Sequence, residues 1–556
     1  MTRREFQIGP DNRAAVCLAS DDVRGQYLER WVLDGDEGWR ASGMLCTATH
    51  PQMLPGEDGS VFVYNADDPA AGIVVYESDG RQRRLAAPPN FRFVSVPRAD
   101  RAGLAMVHTA THSELWRFEA REPALRERLV TVPGLLLSAY PLDVERRLLA
   151  VDHSEFWGDD GEILVVDTGD GSYSTMLDRA QVLLTHAATG LIMVRATVRG
   201  ARWVGWRRLA EPGPLRFPAA LNPVEAAAVP VAVSPDGRDV LVHEQAGVRS
   251  RLCRYDLDAD VRIDVPIPDG VLRQPVRWSA ERISLSLSTP DRPPRLIVAG
   301  ETERGDGLAR VESVRGAAGP IESVVYGGPD WRDNPRLVLA LHGGPHSAWR
   351  YEYVPLLHAL AEAGVAVLAP NQRGSIGYGP DHAGAIVGAM GRADVDDVLA
   401  IAGDLRRYRD ERGLPPLRLV GESYGAYLAL LAAARAPAHW SHCALLAPFT
   451  SPERLAEQGS PGVRALLSGL APAGAPDALE SCLSISAELL VAHGRNDAIV
   501  PVAEARALVA RLRGHGREPR YLEVPDGDHE LAIAEHLAVT RSVAAFLAAP
   551  PRVERR

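Results

Sequence analysis

The chain has 556 residues, 46% of them hydrophobic and 24% charged, and its 61 basic and 72 acidic residues give a formal charge of −11. That length exceeds what a single hydrophobic core serves, so at least two domains are expected, and the composition excludes a disordered chain. The negative balance argues against nucleic acid as a partner.

Every basic residue other than histidine is arginine. A phosphate-loop lysine, a pyridoxal Schiff base and a Ser–Lys dyad are therefore excluded. No apolar h-region follows Met1-Thr2-Arg3-Arg4-Glu5-Phe6, and no apolar run approaches the ~18 residues of a membrane helix. The expectation is a cytoplasmic protein with no membrane partner. Cys17, Cys46, Cys253, Cys443 and Cys482 are scattered without ligand spacing, so reduced thiols, no metal site and no cofactor are expected.

The first three hundred residues show no long helical periodicity. Short β-rich runs recur instead: Trp31–Asp34, Val74–Glu77, Leu115–Phe118, Leu164–Asp167, Val204–Arg207, Leu252–Tyr255 and Leu296–Ala299. Their separation of about 40 to 50 residues is the period of four-stranded propeller blades. Seven recurrences predict a seven-bladed, all-β propeller over residues 1–305, with paired β-sandwiches as the competing arrangement. Val233-Ser234-Pro235-Asp236-Gly237-Arg238-Asp239-Val240 reads as a tight strand–turn–strand within a blade.

After the polar linker Glu301–Gly307 the pattern changes. Apolar strands (Arg336–Leu341, Val365–Ala369, Leu417–Val420, Cys443–Leu446, Ala487–Gly494, Tyr521–Val524) alternate with helical segments such as Asp396–Tyr408 and Val502–Leu512. This alternation predicts a doubly wound, mostly parallel sheet over residues 306–556, with functional loops at strand C-termini.

Three of those loops carry chemistry. Gly421-Glu422-Ser423-Tyr424-Gly425 lies between an apolar strand and an Ala/Leu-rich helix, the context of a nucleophile elbow. A serine hydroxyl needs a base and a group that orients the base. Asp497 follows the next-but-one strand and His529 the strand after that, in the order Ser, Asp, His of α/β-hydrolases. Ser423 is assigned as nucleophile, His529 as general base and acid, and Asp497 as the orienting carboxylate. His342-Gly343-Gly344-Pro345 closes another strand and reads as an oxyanion loop, its Gly344 N–H paired with that of Tyr424. Asp394, Asp396 and Asp397 at a helix start are read as complementing the helix dipole rather than as a metal cluster.

Together with Asn371-Gln372-Arg373-Gly374-Ser375-Ile376-Gly377-Tyr378-Gly379, these motifs resemble the prolyl oligopeptidase family of serine peptidases, most of all its acylaminoacyl-peptidase and dipeptidyl-peptidase-like branch. The resemblance covers roughly Val325 to Leu547. It implies an α/β-hydrolase domain behind a β-propeller, a short peptide or peptide-like substrate, and a mainly architectural Arg373. It leaves a homo-oligomer open.

One position departs from the family. Relatives commonly place an arginine or asparagine two residues after the triad aspartate, to hold a substrate carbonyl; here Ile499 stands there and cannot donate. The expected function is amide hydrolysis of short peptides through an acyl-enzyme on Ser423, with the propeller restricting access. The alternatives are an esterase or transacylase/macrocyclase for a specialised natural-product acyl group, and a propeller interaction module with a silent hydrolase domain.

Overall fold

The computed structural model describes residues 2–550 apart from 22, 35–37, 48–50, 67, 98–101, 156–160, 212, 224–226, 302–306, 472–473 and 532–536. The first three hundred residues form seven antiparallel sheets, each from one contiguous segment: Thr2–Thr47, Pro51–Leu85, Phe91–Pro133, Leu135–Asp178, Ala180–Arg208, Ala227–Val265 and Val271–Val298. These are the blades of a seven-bladed propeller. Each of the seven recurring runs falls in the third strand of its blade, Glu77 and Ala299 lying just past the strand ends.

Blades 5 and 7 depart from the four-stranded expectation, with three strands each among the described residues. In blade 5 the segment that would form the outer strand holds Pro214, Pro218 and Pro223. Proline donates no ladder hydrogen bond, and only an isolated bridge, Trp206 to Arg216, forms there.

Among the described residues no strand is exchanged between the first and last blades, which meet through side chains. Phe6, Ile8, Cys17, Trp31 and Trp39 of blade 1 share an apolar cluster with Leu296 of blade 7. Trp39 Nε1–H donates to Ser284 Oγ at 3.0 Å across the same seam.

The second domain is built on one sheet of eight strands: β1 (Ala309–Arg315), β2 (Pro320–Tyr326), β3 (Leu337–Leu341), β4 (Ala366–Pro370), β5 (Leu417–Glu422), β6 (Trp440–Leu446), β7 (Glu488–Gly494) and β8 (Arg520–Val524). Their spatial order is β1-β2-β4-β3-β5-β6-β7-β8; β2 runs antiparallel to both neighbours and β3 to β8 are parallel. The expected boundary at 305/306 lies outside the described residues.

Helices cover both faces, which is why β3 and β4 are apolar at every position. Along β3, Leu337, Leu339 and Leu341 enter the core beneath the helices Ala393–Asp410, Tyr424–Arg435 and Ala503–Arg513. Val338 and Ala340 point to the other face, against Pro355–Glu362 and Leu537–Ala548. The parallel strands all end on one edge, and the loops leaving β3, β5, β7 and β8 meet there.

Candidate active site

Ser423 sits at the turn from β5 into the helix Tyr424–Arg435 with φ 52° and ψ −116°, a conformation a side-chain-bearing residue adopts only under strain. Both neighbouring glycines are sterically required. A Cβ on Gly421 would lie 2.2 Å from the carbonyl oxygen of Gly425, and one on Gly425 would lie 2.3 Å from that of Leu341 in the adjacent strand. The elbow closes only because these positions lack side chains.

The loops after β7 and β8 are locked to each other. Arg495 N–H donates to Val524 O and Asn496 N–H to Gly527 O, each at 2.9 Å, and a Cβ on Gly494 would lie 2.1 Å from Asp528 O. This interlock brings Asp497 to His529, with Asp497 Oδ2 2.7 Å from His529 Nδ1. His529 Nε2 lies 3.0 Å from Ser423 Oγ. The three residues predicted from their chain order thus form one continuous line of hydrogen bonds.

The other carboxylate oxygen of Asp497 accepts from the backbone N–H groups of Ile499 (2.9 Å) and Val500 (2.8 Å). A further donor was not anticipated. His493 is fully buried in β7, and its Nε2 lies 2.9 Å from Val500 O and 3.2 Å from Asp497 Oδ2. A carbonyl only accepts, so Nε2 of His493 carries the proton. Its signal in the sequence was a single imidazole within an apolar strand.

Burial by itself raises the Asp497 carboxyl pKa, but the hydrogen bonds from His493 and His529 outweigh it and hold the group well below the usual carboxylate range. Burial lowers the His529 pKa, and the hydrogen bond and charge of Asp497 more than offset this, leaving it above its ordinary value.

Gly343 lies against the nucleophile, its Cβ position 3.7 Å from Ser423 Cβ. His342 is buried and burial pushes its pKa down to about 4, so the ring is neutral. Its Nδ1 is 2.7 Å from Gly343 O and must donate to it. Nε2 then accepts from the Gln372 amide (3.3 Å) and lies 2.8 Å from Ser375 Oγ, whose hydroxyl donates to Gln372 O at 2.7 Å.

The 343–344 peptide is trans and planar, so fixing the Gly343 carbonyl toward His342 turns the Gly344 N–H away from it. That N–H has no acceptor among the described residues, and Tyr424 N–H, first in its helix, has no intrahelical one.

The acidic cluster is built differently from the dipole expectation. Asp394 is buried and accepts a short hydrogen bond from Tyr424 OH, and burial raises its pKa to about 6. Asp397 is buried and takes Arg373 through Nε (2.9 Å) and Nη2 (3.0 Å). Only Asp396 remains an exposed first-turn acid. Arg373 is thereby committed to the scaffold, and Ile499 is 46% exposed. Among the described residues no group of three His, Cys, Asp or Glu could hold a metal, all five cysteines are free, and no helix is long and apolar enough to cross a membrane.

A cavity of about 630 Å³ opens beside this site, lined by Arg4, Glu5 and Arg273 of the propeller and by Glu352, Tyr353 and Glu530 of the second domain.

Comparison with known proteins agrees with this geometry. Residues 351–549 match the family model described as the prolyl oligopeptidase family. An uncharacterized peptidase of Bacillus subtilis is 26% identical over 285 residues, 45% of this chain and 42% of that protein. The acylamino-acid-releasing enzyme of Arabidopsis thaliana is 30% identical over 172 residues, 30% of this chain and 21% of that enzyme. The matches thus span less than half the length of these relatives.

Over the whole fold, the acylaminoacyl peptidase of Pyrococcus horikoshii superposes with a TM-score of 0.76 at 13% identity, covering 97% of this chain and 93% of that one. A puromycin-hydrolyzing peptidase of Mycobacterium tuberculosis gives 0.69 at 17% identity, covering 98% and 94%. Residues 351–549, which match the prolyl oligopeptidase family model, thus lie in the eight-stranded α/β domain that follows a seven-bladed propeller.

Proposed function

We propose that this protein hydrolyses amide bonds of short peptides or peptide-like molecules through an acyl-enzyme on Ser423. The observation that carries the reading is the line Ser423 Oγ, His529 Nε2, His529 Nδ1, Asp497 Oδ2, with steps of 3.0 and 2.7 Å, beside two backbone N–H groups with no acceptor among the described residues.

Ser423 Oγ attacks the substrate carbonyl carbon while its proton passes to His529 Nε2. The oxyanion is taken up by the N–H groups of Gly344 and Tyr424. His529 returns the proton to the departing amine, then draws one from water as water attacks the acyl carbon, and Ser423 leaves with that proton. Asp497 keeps Nδ1 of His529 protonated and stabilises the imidazolium.

The propeller supports the size limit. A cavity of about 670 Å³ opens among its first-to-second-strand turns at Pro10, Asp143, His186, Pro235 and Ser279. The interdomain cavity at Arg273 and Glu530 gives a second approach. Both suit a narrow, extended substrate.

The relatives named acylamino-acid-releasing enzymes favour N-acylated peptides as the substrates to try first. A panel of aminoacyl-, acetyl-aminoacyl- and dipeptidyl-anilides tests the reading. Turnover of at least one, lost in Ser423→Ala, is expected. Ester turnover with no anilide turnover would contradict it and move the assignment to an esterase or transacylase.

A further inference from the structure

The second-to-third-strand turn of blade 6, Ala246-Gly247-Val248-Arg249, leaves the propeller and enters the catalytic domain. Val248 is 1% exposed and belongs to the same apolar cluster as Tyr326, Leu356 and Leu357 beneath the eight-stranded sheet, not to a blade core. Four hydrogen bonds hold the turn. Gly247 N–H donates to Gly377 O (3.2 Å) and Val248 N–H to the Glu322 carboxylate (3.0 Å). Gly247 O accepts from the Arg350 guanidinium (2.5 Å) and Val248 O from Tyr351 N–H (2.7 Å). Gly247 has φ +55°, and a Cβ there would lie 2.3 Å from the Glu322 carboxylate.

Each catalytic-domain partner leads toward Gly344. Arg350 and Tyr351 follow it by a few residues in the same segment. The Glu322 oxygen that takes Val248 N–H also accepts from Tyr378 OH (2.8 Å), and Tyr378 OH accepts from Asn371 Nδ2 (2.6 Å). The Asn371 side chain grips the Trp349 backbone on both sides, accepting its N–H at 2.7 Å and donating to its carbonyl at 3.1 Å. Trp349 Nε1–H donates to Ala340 O (2.9 Å), and its ring stands edge-on to His342 at 6.2 Å. His342 in turn fixes the carbonyl of the 343–344 peptide.

We propose that the Gly247–Val248 turn is a positioning element of the oxyanion site. Docking of this propeller turn holds Trp349 to Tyr351 in place and, through Asn371 and His342, aims Gly344 N–H at the acyl oxygen on Ser423. The inference rests on the acyl-transfer reading above. A mere domain tether acts differently: Ser288 of blade 7 also binds across the domains, its Oγ accepting Tyr353 N–H at 3.0 Å, yet neither residue belongs to the hydrogen bonds that run from Glu322 to His342.

The test compares Gly247→Ala, Val248→Ala, Tyr378→Phe and Ser288→Ala in the full-length protein. The readouts are the rate of Ser423 labelling by a fluorophosphonate, kcat and KM on the best anilide, and the melting temperature. Outright loss of one oxyanion donor costs about 10²–10³ in kcat, so a loosened one is expected to cost about 10- to 30-fold.

The expected result is that loss in kcat and labelling rate for Gly247→Ala, Val248→Ala and Tyr378→Phe, with KM within about twofold and Ser288→Ala unaffected. Wild-type labelling rates in the turn variants, a loss confined to KM, or an equal loss in Ser288→Ala would each overturn the proposal. If Gly247→Ala fails to fold, Tyr378→Phe, which adds no atoms, decides by the same criteria. Failure of the acyl-transfer reading shows separately, as a wild-type protein that is not labelled at Ser423.

Discussion

His493 Nε2 and His529 Nδ1 meet the same oxygen of Asp497, at 3.2 and 2.7 Å. The carboxylate is thus held by two imidazoles, one buried inside β7 and one on the loop after β8, as well as by two backbone N–H groups. Removing the buried donor should leave the line to Ser423 intact but looser.

His493→Ala is therefore expected to destabilise the fold by about 2 kcal/mol, the scale of a hydrogen bond to a charged group. The general acid–base contribution of His529, about 10²–10⁴-fold, should be partly lost with it. Thermal unfolding and kcat on one anilide check both. An unchanged kcat would mean that Asp497 needs no third support.

The pH profile follows from His529. Only the neutral ring can take the Ser423 proton, so the rate falls as pH drops through its pKa. Because Asp497 holds that pKa above the ordinary 6.5 despite burial, the acid limb of kcat/KM should have its midpoint above 6.5. In Asp497→Asn burial is opposed only by the smaller effects of the Glu422 and Glu530 charges, so the midpoint of the residual activity should move down, with kcat reduced about 10⁴-fold. A midpoint that stays in place would separate the two residues.

Gly425→Ala puts a Cβ 2.3 Å from Leu341 O, a backbone atom that cannot swing aside. The expected loss is about 1–3 kcal/mol, with activity falling further as β3 and the elbow are forced apart. Denaturant titration beside kcat checks this. A protein of wild-type stability would contradict the steric account of the elbow.

Ile499 is half exposed and donates only through its backbone, to Asp497. If this position faces the substrate, Ile499→Arg adds a donor at little burial cost. A charge-assisted hydrogen bond of about 1.5–3 kcal/mol should then lower KM for peptide anilides by roughly tenfold or more. An unchanged KM would mean that the acyl chain runs elsewhere.

The propeller and the sheet were legible because their periods are long and regular. A β-run of some 40 to 50 residues' spacing marks the third strand of every blade, and apolar strands alternating with helices mark the doubly wound sheet. Ser423 stood out by its Gly-x-Ser-x-Gly turn between strand and helix, and Asp497 and His529 by their order and their place after strands.

What the sequence hid are contacts between residues far apart in the chain. Asp394 looked like a dipole residue because nothing local connects it to Tyr424, thirty positions on. His493 read as one more member of an apolar strand. Val248 lies in a blade turn, yet its side chain completes the core of the other domain, a contact no local pattern marks. Blade 5 shows no outer strand among the described residues, because Pro214, Pro218 and Pro223 interrupt the ladder that the period predicts.

The most direct measurement is intact-protein and peptide mass spectrometry after brief reaction of the full-length protein with an N-acetyl-aminoacyl p-nitrophenyl ester, repeated with Ser423→Ala. The account predicts one acyl increment on the peptide carrying Ser423, formed at the rate of nitrophenol release and absent from the variant. An increment on another residue, or turnover that persists in Ser423→Ala, would contradict it.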